Sequence, residues 1–202
     1  FSIFLIMGTD SALSYYFYNY DVDKNESIVI STIFFWQLFW GTLCFTLFIS
    51  LKPVINIYFF KNQISSLIFF LIALTNFIQL LSNQSTNLFR LNHLPYHFIF
   101  NNFLVSFIST FLALYLIYFK NYSIIAVFYG LFMSSIFSFI FSWYHNFHYL
   151  SFKAFNFKFL KEILLFSLPF LPEAFIWSFM TSMDRIFILR ILGPYDVGIY
   201  SL

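Results

Sequence analysis

The chain has 202 residues and a formal net charge of +2, with 61% hydrophobic and only 9% charged residues. An ordinary soluble domain carries about 25% charged residues, so this composition excludes that class and indicates an all-α, polytopic membrane helix bundle surrounded by a lipid bilayer. The small net charge gives no reason to expect a nucleic-acid partner. The single cysteine, Cys44, excludes an internal disulfide framework and a thiolate metal cluster.

Six apolar stretches follow one another along the chain, at 1–20, 28–51, 64–89, 99–119, 123–144 and 166–190, and a seventh begins near 195. Each complete stretch has about the 20 residues that a helix needs to cross a 30 Å hydrocarbon core. The connections are short, among them KPVINIYFFKN and LNHLPYH, which predicts antiparallel neighbours in an up-and-down bundle. Both ends of the sequence fall within apolar runs, so we interpret the chain as a fragment.

The connection around 151–165 differs from the others because lysines alternate with phenylalanines there. Lys153, Lys158 and Lys161 lie among aromatic residues, a pattern typical of a segment on the membrane surface. We therefore expect residues 1–150 and 166–202 to form two membrane units joined by an interfacial linker. The three lysines favour the cytoplasm for this side of the bundle.

Three ionisable residues interrupt the apolar stretch 166–190. Such groups are costly at bilayer depth, so Glu173, Asp184 and Arg185 are candidates for ion coupling, charge pairing or substrate binding. The 11 steps from Glu173 to Asp184 return to within about 20° of the same helix face, roughly 16 Å along the axis. Pro169 and Pro172 predict either a bend or the first turn of this helix.

A stripe of polar side chains follows the helical period in the stretch 64–89. Its members are Asn76, Gln79, Asn83, Asn87 and Arg90. Amides in hydrocarbon need partners, so this face either lines a cavity that holds water or a polyhydroxylated substrate, or bonds to a neighbouring helix.

Asp10 is the first carboxylate of the chain and follows Gly8 in an apolar run. At that position it either carries a proton or cation or pairs with an arginine. Both alternatives stay open from the sequence.

The stretch 123–144 carries small residues four apart, at Gly130, Ser134, Ser138 and Ser142. Such a ridge lets two helix backbones approach closely, so we expect it to pack. Ser106, Thr110 and Ala113 predict the same for the preceding helix.

The histidines form two close pairs, His93 with His97 and His145 with His148. Membrane di-iron enzymes use histidine clusters at the bilayer surface, but they need about twice as many and carboxylates nearby. We therefore expect no metal site, no catalytic residues and no cofactor.

Co-linear motifs resemble the polysaccharide (O-antigen type) flippase family of the multidrug/oligosaccharidyl-lipid/polysaccharide exporter superfamily. The motifs are Gly8-Thr-Asp-Ser-Ala with Tyr15-Tyr16-Phe17, Phe166–Pro169 with Pro172, Asp184-Arg185, Leu192-Gly193 and Val197–Ser201. The resemblance implies spans two to six at 1–144, then span seven and the start of span eight at 166–202. Glu173 departs from the family's small or hydroxyl residues, so its role rests on this sequence alone.

The resemblance implies a non-enzymatic transporter in the inner membrane that flips undecaprenyl-pyrophosphate-linked oligosaccharides by alternating access. It implies the lipid-linked oligosaccharide as substrate and the polysaccharide polymerase machinery as a partner. Candidate substrate contacts are Arg90, Arg185, Asn83, Asn87 and Gln79, and candidate ion-coupling or charge-pair residues are Asp10, Glu173 and Asp184. The alternatives are a cation-coupled multidrug exporter of the same superfamily and a membrane glycosyl- or acyltransferase.

Overall fold

The computed structural model describes residues 5–19, 26–60 and 65–200, which form helices and no strands in these ranges. The helices are α1 (Thr9–Asn19), α2 (Glu26–Ser50), α3 (Lys52–Phe60), α4 (Ser66–Leu91), α5 (Pro95–Lys120), α6 (Ile125–Asn146), α7 (Phe157–Ser167), α8 (Phe170–Ile191) and α9 (Pro194–Tyr200). Two 3-10 turns, Phe147–Tyr149 and Phe152–Ala154, connect α6 to α7. The prediction of an all-α polytopic bundle is confirmed.

Four helices of the described part are long and apolar enough to cross a membrane: α2, α4, α5 and α6. Helices α7 and α8 pass the same test as a pair, bent by 47°, and so form a fifth candidate span. These five correspond to five of the predicted apolar stretches. The predicted stretch 1–20 is not one straight helix in its described part, because a break at Met7 and Gly8 precedes α1.

Two helix boundaries near proline residues differ from those expected from the sequence. The segment expected as the connection KPVINIYFFKN is mostly helical, as α3. It continues from α2 through Leu51, because Pro53 removes only one backbone donor from the helical ladder. Helix α5 begins at Pro95 rather than at residue 99, since the fixed φ of proline suits the first helical turn.

The division into two units at 151–165 remains a prediction, but the structure shows what occupies this segment. Helix α7 fills its second half and continues to Ser167. One face of α7, with Phe159, Leu160 and Ile163, is buried against α1 and α2. The lysine-bearing segment is thus held against the bundle along one side.

The main hydrophobic core lies where α1, α2, α4, α6 and α7 meet. Its buried members are Ala12, Leu13, Val29, Ile30, Ile33, Leu88, Trp143, Phe159 and Ile163. Burial of such side chains contributes about 1.5–3 kcal/mol each in water, whereas within a bilayer close packing and hydrogen bonds hold the helices together. The core fixes the rotation of α1 and α4 about their axes and therefore decides which residues face the cavities described below.

The small-residue ridge on α6 packs as predicted. Gly130 and the three serines of the ridge are buried. On α5 only part of the expectation holds, because Ala113 is buried whereas Ser106 and Thr110 are exposed. These two point away from α6, on the side of α5 that carries exposed phenylalanines.

A buried polar network joins α4, α5 and α6. The amide of Asn101 donates to Thr86 Oγ1 at 3.2 Å and to Ser138 Oγ at 3.0 Å. Ser138 Oγ and Ser82 Oγ are 2.6 Å apart. Pairing of this kind stabilises amides and hydroxyls in an apolar environment, so the network links three spans, although the buried Oδ1 of Asn101 accepts no hydrogen bond in the described structure.

Asn101→Ala removes the donor from two buried hydroxyl groups. We expect it to lower the free energy of unfolding by about 1–2 kcal/mol in mixed micelles. The matched control is Asn102→Ala, because Asn102 is exposed and bonds to the carbonyl of Phe98 in its own helix. Equal effects of the two substitutions on unfolding would contradict this role of the network.

Candidate functional site

Helix α1 presents a polar face opposite its buried face. Ala12 and Leu13 are fully buried in the core. Asp10, Ser11 and Ser14, at helical spacings of one and four, lie on the other side and line one cavity. Packing of the apolar face therefore aims the polar face of α1 outward from the core.

The last turns of α4 face α1 across this cavity. Leu88 is buried in the core, and Asn87 and Arg90 line the cavity. The hydroxyl of Tyr18 donates to the carbonyl oxygen of Leu91 at 2.8 Å and so joins the end of α1 to the end of α4. A cation in the last turn of a helix is also favoured by the helix dipole.

We call the space between these helices the Arg90 cavity; it has a volume of about 480 Å³. It is lined by Asp10, Ser11, Ser14, Asn87, Arg90 and Leu91. The guanidinium carbon of Arg90 lies 5.7 Å from the ring centroid of Phe98, which is a cation–π contact. The ring of Phe98 therefore helps to hold the guanidinium N–H donors of Arg90 beside the cavity.

A second space, the Glu173 cavity, adjoins the first and has a volume of about 460 Å³. It is lined by Ile6, Gly8, Asp10, Ser11, Phe170, Glu173, Ala174 and Trp177. Asp10 and Ser11 line both cavities, so α1 forms a wall common to the two. The structure thus brings Asp10 near Arg90 on one side and near Glu173 on the other.

The two cavities differ in the chemistry that they offer. The Arg90 cavity combines a guanidinium, an amide, two hydroxyls and the carboxylate of Asp10. The guanidinium, amide and hydroxyls are groups that bind phosphate oxygens and sugar hydroxyls. The Glu173 cavity combines two carboxylates with aromatic walls, which suits a cation. The carboxylate of Asp10 belongs to both cavities, so it lies on one wall with Arg90 opposite in the first cavity and with Glu173 in the second.

Other candidate residues from the sequence lie elsewhere. Asp184 and Arg185 are exposed on α8, and Asp184 accepts a hydrogen bond from the hydroxyl of Tyr200 at 3.3 Å. On α4, Gln79 is half-buried and Asn83 is exposed, and neither lines the Arg90 cavity. The predicted polar stripe therefore contributes its last two members, Asn87 and Arg90, to the candidate site.

Ser14 was not singled out from the sequence, although it lines the Arg90 cavity beside Asp10. Its signal is the spacing of four from Asp10, which places both residues on one helix face. Serine is common in apolar helices, so the spacing of four alone does not indicate a site. Ser14 is recognised as a candidate only because the structure places Arg90 across the same cavity.

The histidines contact one another in a different combination from the expected pairs. The rings of His97 and His145 lie 5.0 Å apart, next to Phe89 and Phe141. Within residues 5–19, 26–60 and 65–200, no group of three or more histidine, cysteine or acidic side chains is placed to hold a metal ion. The contact of His97 with His145 belongs to an aromatic cluster between α5 and α6.

Comparison of the chain with curated proteins and with solved structures gave no significant match. A family model described as polysaccharide biosynthesis protein matches residues 1–202. Combined with its apolar helices, this match makes the chain a multi-pass membrane protein with a role in polysaccharide synthesis or transport. The chain belongs to the polysaccharide biosynthesis protein family.

Proposed function

We propose that the protein flips lipid-linked oligosaccharides across the inner membrane for the synthesis of surface polysaccharide. The substrate is an oligosaccharide on undecaprenyl pyrophosphate, the protein acts as a transporter rather than an enzyme, and the polymerase machinery receives the product. The supporting observation is the Arg90 cavity, where a guanidinium and an amide of α4 face two hydroxyls and a carboxylate of α1 across one space of about 480 Å³. These groups match a pyrophosphate joined to sugar hydroxyls.

In this proposal Arg90 binds the pyrophosphate and Asn87 binds a sugar hydroxyl. Guanidinium and phosphate form paired, charge-assisted hydrogen bonds, which are about twice as strong as hydrogen bonds between neutral groups. Two further stripe members, Gln79 and Asn83, and the exposed Arg185 contact the substrate at other stages of its passage. A substrate in the Arg90 cavity also faces Asp10, which the Glu173 cavity has in common with it.

Asp10 and Glu173 bind the coupling ion in the same proposal, and Asp184 acts as a charge partner on α8. The carboxylates of Asp10 and Glu173 face one cavity of about 460 Å³. Like charges beside one another favour uptake of a proton or a cation. Binding of the ion in the Glu173 cavity then affects binding of the substrate in the Arg90 cavity, because Asp10 lines both.

Complementation tests the proposal. The gene that encodes the chain is expressed in bacterial strains that lack their own polysaccharide flippase and differ in the sugar repeat, and surface polymer is measured by gel and antibody. We expect polymer to return in at least one strain. Membrane-inserted protein without polymer in any of the strains would contradict a flippase.

Asp10→Asn removes the charge common to both cavities while keeping the size of the side chain. We expect about a tenfold loss of surface polymer, because one charge-assisted contact contributes about 1.5–3 kcal/mol. Asp196→Asn is the matched control, since Asp196 lies on α9 and lines neither cavity. Full export by Asp10→Asn at equal protein level would remove Asp10 from the transport path.

The second candidate function is export of lipophilic cations. The Glu173 cavity favours it, because Phe170 and Trp177 stand beside the two carboxylates. Drug-resistance assays on the same strains separate the candidates. Resistance without restored polymer would replace the first proposal with the second.

A further inference from the structure

An apolar groove lies between α2 and α7, away from the candidate site. It has a volume of about 320 Å³, within the range of ligand sites. Its lining includes Trp36 of α2 and Phe157, Leu160, Lys161, Leu164 and Leu168 of α7. None of these residues lines the Arg90 cavity or the Glu173 cavity. We call this space the Lys161 groove.

One face of α7 forms a wall of the Lys161 groove. Phe157, Lys161, Leu164 and Leu168 follow one another at steps of four, three and four, which places them on one side of the helix. Phe157, Leu165 and Leu168 are more than half exposed, so the groove is open to its surroundings. Because α2 and the pair of α7 and α8 are candidate spans, these surroundings are the hydrocarbon of the bilayer.

Hydrogen bonds and ring contacts place one end of the groove beside the lysine-bearing linker. The backbone N–H of Asn156, which precedes α7, donates to Thr32 Oγ1 at 3.3 Å. The ring centroids of Phe35 and Phe152 lie 4.9 Å apart. Trp36 follows Thr32 by four residues, about one turn further along α2. The groove therefore starts at the linker and continues along the apolar part of α2.

Lys161 places a positive charge in the apolar wall of the groove, and Lys158 lies one turn earlier on α7. Both lysines are exposed. Long side chains in a helix lean toward its N-terminus, so the ammonium of Lys161 is directed toward the turn that carries Lys158. Its methylene stem stays against the apolar wall. Two ammonium groups thus lie at the linker end of the groove.

Acidic side chains do not neutralise this charge from within the groove. Among the described residues, none that lines the Lys161 groove is acidic. Glu162 follows Lys161 in sequence, but it interacts with Tyr16 of α1, which packs against the buried Phe159. The charge of the groove therefore complements an anion whose remaining part is apolar.

We propose that the Lys161 groove binds an anionic phospholipid. Part of one acyl chain lies against Trp36 and the leucines, and the headgroup phosphate binds Lys158 and Lys161. The occupant is a lipid of the bilayer rather than a transported substrate, because the groove is open to hydrocarbon and has no residue in common with the Arg90 cavity. A bound lipid fills the space between α2 and α7 and so stabilises the position of α7.

Quenching of tryptophan fluorescence by brominated lipids tests this site. The full-length protein carries Trp40→Phe, because the rings of Trp36 and Trp40 stack 5.8 Å apart and would share their emission. It is reconstituted in phosphatidylcholine vesicles that contain brominated phosphatidylglycerol or brominated phosphatidylcholine at equal mole fraction and no polyprenyl lipid. The same protein with Trp36→Phe is measured in parallel, and the difference between the two gives the emission of Trp36.

We expect phosphatidylglycerol to bind beside Trp36 about tenfold more tightly than phosphatidylcholine. Each lysine near a membrane surface raises the affinity for anionic lipid about fivefold, so Lys161→Gln should reduce the preference by about that factor. Lys158→Gln should reduce it as well. Lys120→Gln is the matched control, because Lys120 is an exposed lysine in the last turn of α5 and does not line the groove.

Equal quenching of Trp36 by the two lipids would overturn the proposal, as would a preference that is unchanged in Lys161→Gln. Equal losses in Lys161→Gln and Lys120→Gln would also overturn it, because they would indicate overall charge instead of a site. Excess soluble glycerol phosphate is expected to leave the preference intact, and its loss would assign the lysines to free phosphate. None of these outcomes depends on polymer export, so the lipid site and the flippase proposal fail separately.

Discussion

Arg90→Ala is expected to reduce surface polysaccharide by between ten- and a hundredfold at an unchanged level of membrane protein. The charge-assisted hydrogen bonds that a guanidinium makes to phosphate contribute about 1.5–3 kcal/mol each, which corresponds to this range. Arg90 is exposed at the cavity and its guanidinium lies over the ring of Phe98, so we expect its loss to leave the fold intact. The measurement is surface polymer by gel and antibody in a complemented flippase-deficient strain.

Two further variants make this result specific. Arg90→Lys keeps the charge but loses the planar pair of donors, so we expect an intermediate level of polymer. Arg190→Ala removes an exposed arginine in the last turn of α8, away from the Arg90 cavity, and should export normally. Equal loss in Arg90→Ala and Arg190→Ala would show that only overall charge matters.

Gly130→Ala is expected to destabilise the contact between α5 and α6 by about 1–3 kcal/mol, and Gly130→Leu to prevent accumulation of the protein. An added Cβ at Gly130 would overlap the carbonyl oxygen of Ser109, and a backbone atom moves aside only with its whole helix. The energetic cost of this overlap exceeds the gain of about 1 kcal/mol that replacing glycine by alanine brings to a helix interior. The measurement is the free energy of unfolding in mixed micelles.

Gly41→Ala provides a matched control for Gly130→Ala. The added Cβ would lie 2.7 Å from Cε2 of Phe77, which is part of a side chain and can rotate away. We therefore expect the Gly41 variant to lose at most about 1 kcal/mol, less than the Gly130 variant. A larger loss at Gly41 than at Gly130 would contradict the close backbone contact of α5 with α6.

Most of the membrane spans could be predicted from sequence because hydropathy is a local property. The stretches 28–51, 64–89, 99–119 and 123–144 correspond to α2, α4, α5 and α6. The break at Gly8 could not be predicted, because glycine is common in membrane helices and this one is distinguished by its contact with Ser167. That contact joins parts of the chain about 160 residues apart, which no local pattern encodes.

The candidate site was predicted in part. Helical periodicity placed Asn87 and Arg90 on one face, and that face lines the Arg90 cavity. Periodicity also placed Glu173 and Asp184 on one stripe, yet Glu173 lines a cavity with Asp10 whereas Asp184 is exposed and accepts a hydrogen bond from Tyr200. Helical periodicity predicts on which face of its helix a side chain lies. The residues that this side chain contacts depend on the packing of helices that are distant in sequence.

Flipping by purified protein in vesicles tests the central claim most directly. The protein is reconstituted with a fluorescent oligosaccharide on undecaprenyl pyrophosphate under a cation gradient, and a membrane-impermeant quencher reports the label that reaches the outer leaflet. We expect transfer by the parent protein and by Arg190→Ala, and almost none by Arg90→Ala. Transfer no faster than in protein-free vesicles, or equally fast with Arg90→Ala, would contradict a flippase that binds its substrate in the Arg90 cavity.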